Sequence, residues 1–245
     1  MHVKAERDYS ILVIGEVISD RQRVANDAGR PWESEPIQKR RIGGAANVAR
    51  ALGGWGVAVG LLCVRHGDAT ASHDLLNQFT VLVPRYDVIV LSDFPMSSLH
   101  NLNRMIALAK ELGKVILINP QGNDFSPYAG ATLLTPGIAT LKNIVGSWSD
   151  EEELTNKIHK ALTDHHVEGL MLNRRERGIS FYSSQRATHF PQLIPDAGDS
   201  LIAAIAVMLA SGISIPAAVE SACLSARGAM QYPEGAAFLL EGFTS

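Results

Sequence analysis

The chain has little of what would commit it to a special chemistry or environment. There are two cysteines, Cys63 and Cys223, in 245 residues. Neither stands in a Cys-x-x-Cys or Cys/His spacing, which excludes a disulfide framework and a zinc site of the common kinds. Both sit in apolar stretches, Leu61-Leu62-Cys63-Val64 and Ala222-Cys223-Leu224. They are expected as buried free thiols in a reducing compartment. An excess of one charge is also missing. The 25 acidic and 22 basic residues leave a net charge of −3, and the basic run Lys39-Arg40-Arg41 is short. A nucleic-acid surface would need a clustered basic excess, so that run reads as a solvated strand end or, less simply, as a phosphate contact. No apolar run reaches the roughly 20 residues of a bilayer span; the best candidate, Leu201–Leu209, has about half that. Met1 to Asp8 is polar and charged, unlike a signal peptide. These absences predict a cytoplasmic protein with no nucleic-acid and no membrane partner.

What is present is a chain of 46% hydrophobic and 19% charged residues, the balance of a folded domain. Short apolar runs alternate with helical patterns. Ile11–Gly15, Val57–Val64, Asp87–Asp93, Val115–Ile118, Thr132–Leu134 and Gly169–Leu172 read as strands. Helices are expected near 45–52, 69–79, 98–112, 138–145, 150–164, 199–210 and 215–230, and a hairpin near 178–191. Gly113 lies just past one helix, as a C-cap should. Ser149-Asp150-Glu151-Glu152 opens another with acidic groups at the positive end of the dipole. Continuous apolar strands alternating with helices predict an α/β fold, a mainly parallel sheet with helices on both faces. Ligands bind such sheets beyond the carboxyl ends of the strands, which places Glu16–Asp20, Asp93, Asn119 and the turn before Asp199 near one rim. Residues 21–42 are polar, with Gly29, Pro31 and Pro36, and read as a flap outside the core. The whole chain, 1–245, is read as one domain.

Three segments carry candidate chemistry. In Pro195-Asp196-Ala197-Gly198-Asp199-Ser200 a small-residue turn opens an apolar helix. The unpaired N–H groups there can hold phosphate, and Asp199 beside them can take a proton from an attacking hydroxyl. The plain alternative is that Asp199 only caps the helix. In Ile42-Gly43-Gly44-Ala45-Ala46-Asn47 the paired glycines admit a close approach, and Asn47 offers donor and acceptor to sugar hydroxyls. The alternative is a tight turn into an alanine-packed helix. Asp20 and Asp93 each follow a strand end, where a carboxylate binds hydroxyls or caps a turn.

In order and spacing these elements resemble the ribokinase-like, phosphofructokinase-B type sugar kinases, and most closely the bacterial heptose-7-phosphate kinases of ADP-heptose synthesis. The likeness runs through Ile14-Gly15-Glu16 to Asp20-Arg21, Gly43–Ala49, Val90–Asp93, Ala131–Pro136 and Ala197–Ser200. It implies a ribokinase-like sheet with a β lid, of which 21–42 would be one part. It implies ATP and Mg2+, a small sugar or sugar-phosphate substrate, and a possible homodimer. By resemblance Asp199 is the base. The N–H groups of Ala197 and Gly198 form the anion hole. Asp20, Gly43, Gly44, Asn47 and Asp93 face the sugar, and Asp196 and Ser200 face the nucleotide. No metal ligand is assigned.

The chain also departs from that pattern. Asp196 replaces the first glycine of the family turn, and at about 4 Å like charges repel by about 1 kcal/mol even in water. Gly137-Ile138-Ala139-Thr140 stands where the family has Asn-x-x-Glu. Phe94-Pro95-Met96-Ser97 and Asn119-Pro120-Gln121-Gly122 each lack a family lysine. About fifty residues of lid are missing between Leu76 and Asp87. The expected function is an ATP-dependent sugar or sugar-phosphate kinase; the alternative is a degenerate relative that binds a sugar, a nucleotide or a protein without catalysis.

Overall fold

Apolar residues on both sides of the central strands force them into the middle of the molecule. Along β1 (Ser10–Gly15) Ile11 and Val13 face one side and Leu12 and Ile14 the other, and all four are buried. The same division recurs in β5 (Val88–Ser92) and β8 (Gly169–Asn173). A strand buried on both faces needs a helix layer on each. The computed structural model describes residues 9–15, 18–19, 41–42, 44–63, 71–92, 101–191 and 198–231. Its main sheet has eight strands in the order β10-β9-β8-β7-β6-β5-β1-β4. β4 (Ala58–Cys63), β6 (Val115–Ile118) and β7 (Leu133–Leu134) run parallel with β1, β5 and β8, while the hairpin β9 (Ile179–Ser183) and β10 (Ala187–Phe190) is antiparallel. The expected α/β architecture, a mainly parallel sheet between helix layers, is the observed one.

One face carries α1 (Gly44–Gly54), α6 (Gly198–Ala210) and α7 (Ile215–Gln231); the other carries α2 (Ala71–Leu82), α3 (Leu102–Glu111), α4 (Ile138–Val145) and α5 (Glu151–Asp164). α5 shows how the balance works. Asp150 caps it by accepting from the Glu153 N–H at 2.8 Å, which contributes about 1 kcal/mol. Its buried stripe, Leu154, Ile158 and Leu162, contributes roughly 1.5–3 kcal/mol for each side chain. Packing therefore holds the helix and the cap sets where it begins. Gly113, just past α3, has φ +65°, the left-handed turn expected of a glycine C-cap.

Two short strands, β2 (Ile18–Ser19) and β3 (Arg41–Ile42), pair antiparallel outside the main sheet. They join the ends of the segment expected as a flap, whose residues 20–40 lie outside the described set. One expectation fails. Cys63 is exposed, whereas Cys223 is buried and its thiol pushed up to about 12 by desolvation. β4 is the sheet's edge strand, so Cys63 has a neighbouring strand on one side only. An apolar run does not reveal that it lies at an edge. Among the described residues no helix is long and apolar enough to cross a membrane.

Gly15 closes β1 against its neighbour. A Cβ there would stand 1.6 Å from the Ser92 carbonyl oxygen and 3.1 Å from the Ala45 Cβ. Only glycine lets the end of β1, the end of β5 and the first turn of α1 meet. Gly15→Ala is expected to cost about 3 kcal/mol, read as a fall in the urea midpoint. Acid sensitivity is expected from the start of α5. Lys157 and the Ser149 amide and hydroxyl hold Glu153 well down, from 4.5 to about 2. A carboxylate with a depressed folded value stabilises the fold above its unfolded value and loses that contribution as pH falls through the folded one. In urea titrations, Glu153→Gln should lower the midpoint at about pH 6, and the gap should close towards about pH 2.

Candidate active site

Small side chains bring two helix starts together. α1 and α6 pack against each other on one face of the sheet. Ala45 of α1 and Ala203 and Ala206 of α6 are fully buried there. Because such side chains are short, groups in the first turns reach across. Asn47 Nδ2 donates to Asp199 Oδ2 at 3.0 Å, joining positions 152 residues apart, and both residues are half-buried. Asp199 is the second residue of α6. Its Oδ2 accepts from another helix.

A third polar group stands beside them. Asn173 ends β8, and a Cβ on Gly198 would lie 3.3 Å from its Nδ2. Its Oδ1 accepts from the Arg175 N–H at 2.8 Å, and its own N–H donates to the Pro136 carbonyl at 3.0 Å. With Oδ1 committed, the Nδ2 end faces the start of α6. Asn173, Gly198, Asp199 and Asn47 thus form a line at the carboxyl ends of the strands. The line combines an amide donor, a helix start, a carboxylate and a second amide. Such a set can hold an anion beside a proton acceptor.

Of the other sequence candidates, Gly44 is buried as the first residue of α1 and Ser200 is exposed as the third of α6. Asp20, Gly43, Asp93, Asp196 and Ala197 lie outside the described residues. Asn173 was missed by sequence reasoning. The signal was available, a polar residue ending the apolar run Gly169–Leu172, but nothing in the chain marks that end as facing α6. Arg174 was also missed. It makes a bidentate pair with Glu151 at 2.6 Å and donates to the Tyr182 hydroxyl at 2.6 Å. This guanidinium holds the Glu151 carboxyl below the usual carboxylate range, and Glu151 raises Arg174 in turn. The pair ties the loop after Asn173 to the start of α5. It also lines a groove of about 460 Å³ with Thr155, Ser180 and His189, which does not include Asn47 or Asp199.

Gly137 and Ile138 open α4 next to Asn173, with Gly137 bridged to it. This start, Gly137-Ile138-Ala139-Thr140, has no side-chain carboxylate or amide. Among the described residues no group of three His, Cys, Asp or Glu is placed to hold a metal.

The pfkB family carbohydrate kinase model matches residues 65–241. The chain belongs to that family. It is 33% identical over 158 residues to a bifunctional protein HldE of a Shewanella species, covering 62% of this chain and 33% of that protein. To the HldE of Pectobacterium atrosepticum it is 29% identical over 286 aligned positions, covering 91% of this chain and 59% of that protein. The chain thus spans between about a third and three fifths of these curated relatives. About 60 of the 286 positions fall opposite no residue of this chain. Among solved structures, Escherichia coli phosphofructokinase-2 in complex with fructose-6-phosphate matches with a TM-score of 0.63 and 16% identity, covering 88% of this chain and 91% of that one. An Arabidopsis thaliana ribokinase with ribose and ATP matches with a TM-score of 0.51 and 16% identity, covering 61% of this chain and 51% of that one. At such identities these two speak for the fold, and they agree with the ribokinase-like sheet.

The bond across the two helices is expected to register in stability. In a double-mutant cycle, Asn47→Ala and Asp199→Ala should show a favourable coupling of about 1 kcal/mol in unfolding free energy, measured by urea titration.

Proposed function

We propose that this kinase-family chain transfers the γ-phosphoryl group of ATP to a hydroxyl of a sugar or sugar phosphate of the heptose 7-phosphate kind, with Asp199 as the base. The observation that carries the reading is the meeting of Asn47 and Asp199 at 3.0 Å. It joins the two motifs that the family resemblance assigns to sugar binding and to proton transfer. In the proposed reaction Asp199 accepts the hydroxyl proton, the sugar oxygen bonds to the γ-phosphorus, and the bond to the β-phosphate oxygen breaks to leave ADP. The N–H groups of Ala197 and Gly198 and the Asn173 amide receive phosphate charge. Asp20, Gly43, Gly44, Asn47 and Asp93 bind the sugar, and Asp196 and Ser200 border the nucleotide. Mg2+ would come with the nucleotide's phosphates; no step is assigned to it. Residues 21–42 are read as the remaining part of the lid over a single domain, the location as cytoplasmic, and a homodimer as compatible with the fold.

A second reading has its own support. α4 opens with Gly137, Ile138 and Ala139, and phosphoryl transfer depends mostly on positioning and charge stabilisation. A base contributes about 10²–10⁴-fold, which does not offset the loss of several charged partners. The alternative is a binding protein that retains the pocket without turnover.

Coupled ADP-release assays on heptose 7-phosphate and a hexose panel separate the two. Asp199→Asn should lower kcat by about 10²–10⁴-fold while calorimetric ATP and sugar affinities stay near wild type. Sugar binding without any ADP release in the wild type would favour the second reading.

A further inference from the structure

We propose that a cavity at the amino ends of the strands binds a small molecule with an apolar body and an anionic group. The cavity has a volume of about 800 Å³, within the roughly 300–1,000 Å³ of small-molecule sites. It lies where β6 begins at Val115 and β9 ends at Ser183, on the rim opposite Asn173. α6 links the two rims. Asp199 stands in its first turn and Leu209, which lines the cavity, in its last. They are ten residues apart, about 15 Å of helix, and the helix between them is buried against the sheet. The cavity is therefore a separate place from the candidate active site.

The lining sets the class of ligand. Val115, Ile116, Phe181 and Leu209 give it an apolar part. The Phe181 ring is seated on bare backbone, because a Cβ on Gly169 would lie 3.0 Å from its Cε2. Ile213 and Ile215 continue the apolar surface along the connection from α6 to α7. Cations border it at the end of α3. Lys110 Nζ lies 3.8 Å from the place of a Cβ on Gly130. Lys110 has no hydrogen-bond or ion-pair partner among the described residues. Lys114 Nζ donates to the Pro84 carbonyl at 3.2 Å, which uses one of its three N–H groups. α7 begins at the same cavity: the Ser214 carbonyl accepts from the Ala218 N–H at 2.8 Å, and Ser214, Ile215 and Pro216 all line the space. The positive end of that helix adds to the two ammonium groups. Glu168 is the one carboxylate in the lining, so positive charge is in excess. A neutral apolar molecule leaves that charge unused, and a bare inorganic anion leaves the apolar part uncovered. A molecule carrying both parts matches the whole lining.

The test uses 8-anilinonaphthalene-1-sulfonate, an aromatic body with one anionic group, and N-phenyl-1-naphthylamine, the same body without the sulfonate. Fluorescence titration of the full chain should show the sulfonate binding about 3- to 10-fold more tightly than the neutral probe. Lys110→Met keeps an apolar stem and removes the charge. It should abolish most of that difference while the neutral probe stays within about twofold of its wild-type affinity. Ser184→Trp places a large ring in the cavity and should weaken both probes by about tenfold. Lys110 and Ser184 are exposed, so both variants should keep the wild-type urea midpoint, and either one is enough to decide. No binding of the sulfonate to wild type, equal affinity of the two probes, or affinities unchanged in both variants overturns the inference. The readout needs no phosphoryl transfer, so it stands or falls apart from the kinase reading.

Discussion

The distance between α1 and α6 is the constraint on which the site depends. It is set by small side chains, Gly44 and Ala45 on one helix and Ala203 and Ala206 on the other, all buried. Gly15 continues the same arrangement into the sheet, where only a hydrogen fits between β1 and the Ser92 carbonyl. A larger residue at these positions would move the first turn of α1 away from the first turn of α6. The Asn47–Asp199 bond tolerates little of this, because hydrogen bonds weaken steeply once distance and angle leave their narrow range. Packing on one face of the sheet thus becomes geometry at its rim.

The opposite face contributes differently. There long apolar side chains, Phe79, Met105, Leu154 and Ile158 among them, fill the space under α2, α3 and α5. Polar ties reach the rim from this layer as well. Arg174 joins β8 to α5 through Glu151, and Tyr128, fully buried, bonds both the N–H and the carbonyl of Gln121 in the loop after β6. Both ties hold loops that follow strand ends. Among the described residues, these ties hold the loop that follows Asn173, and Gly137, Ile138 and Ala139 at the start of α4 carry no charge.

Much of the fold was legible because it depends on local pattern. The run Ile138–Val145 and the pair of strands within 178–191 could be read directly, since helical periodicity, turn glycines and apolar runs are properties of neighbouring residues. Asp199 was legible as a candidate through its small-residue turn, and its alternative as a helix cap was not separable at that level. Cys63 was misread for a related reason. The stretch around it is as apolar as a central strand, and being an edge strand is a property of the whole sheet.

By itself the sequence determined the order of strands and helices, the burial of the central strands β1, β5 and β8 on both faces, and the residue types available at the rim. These follow from periodicities of two and 3.6, which act over a few residues. Tertiary structure alone decided that Asn47 meets Asp199, that Asn173 turns its amide towards α6, and that β4 is left at the edge. Each depends on how closely elements far apart in the chain approach, and that distance comes from the combined volume of side chains on several elements, which no single stretch of sequence contains.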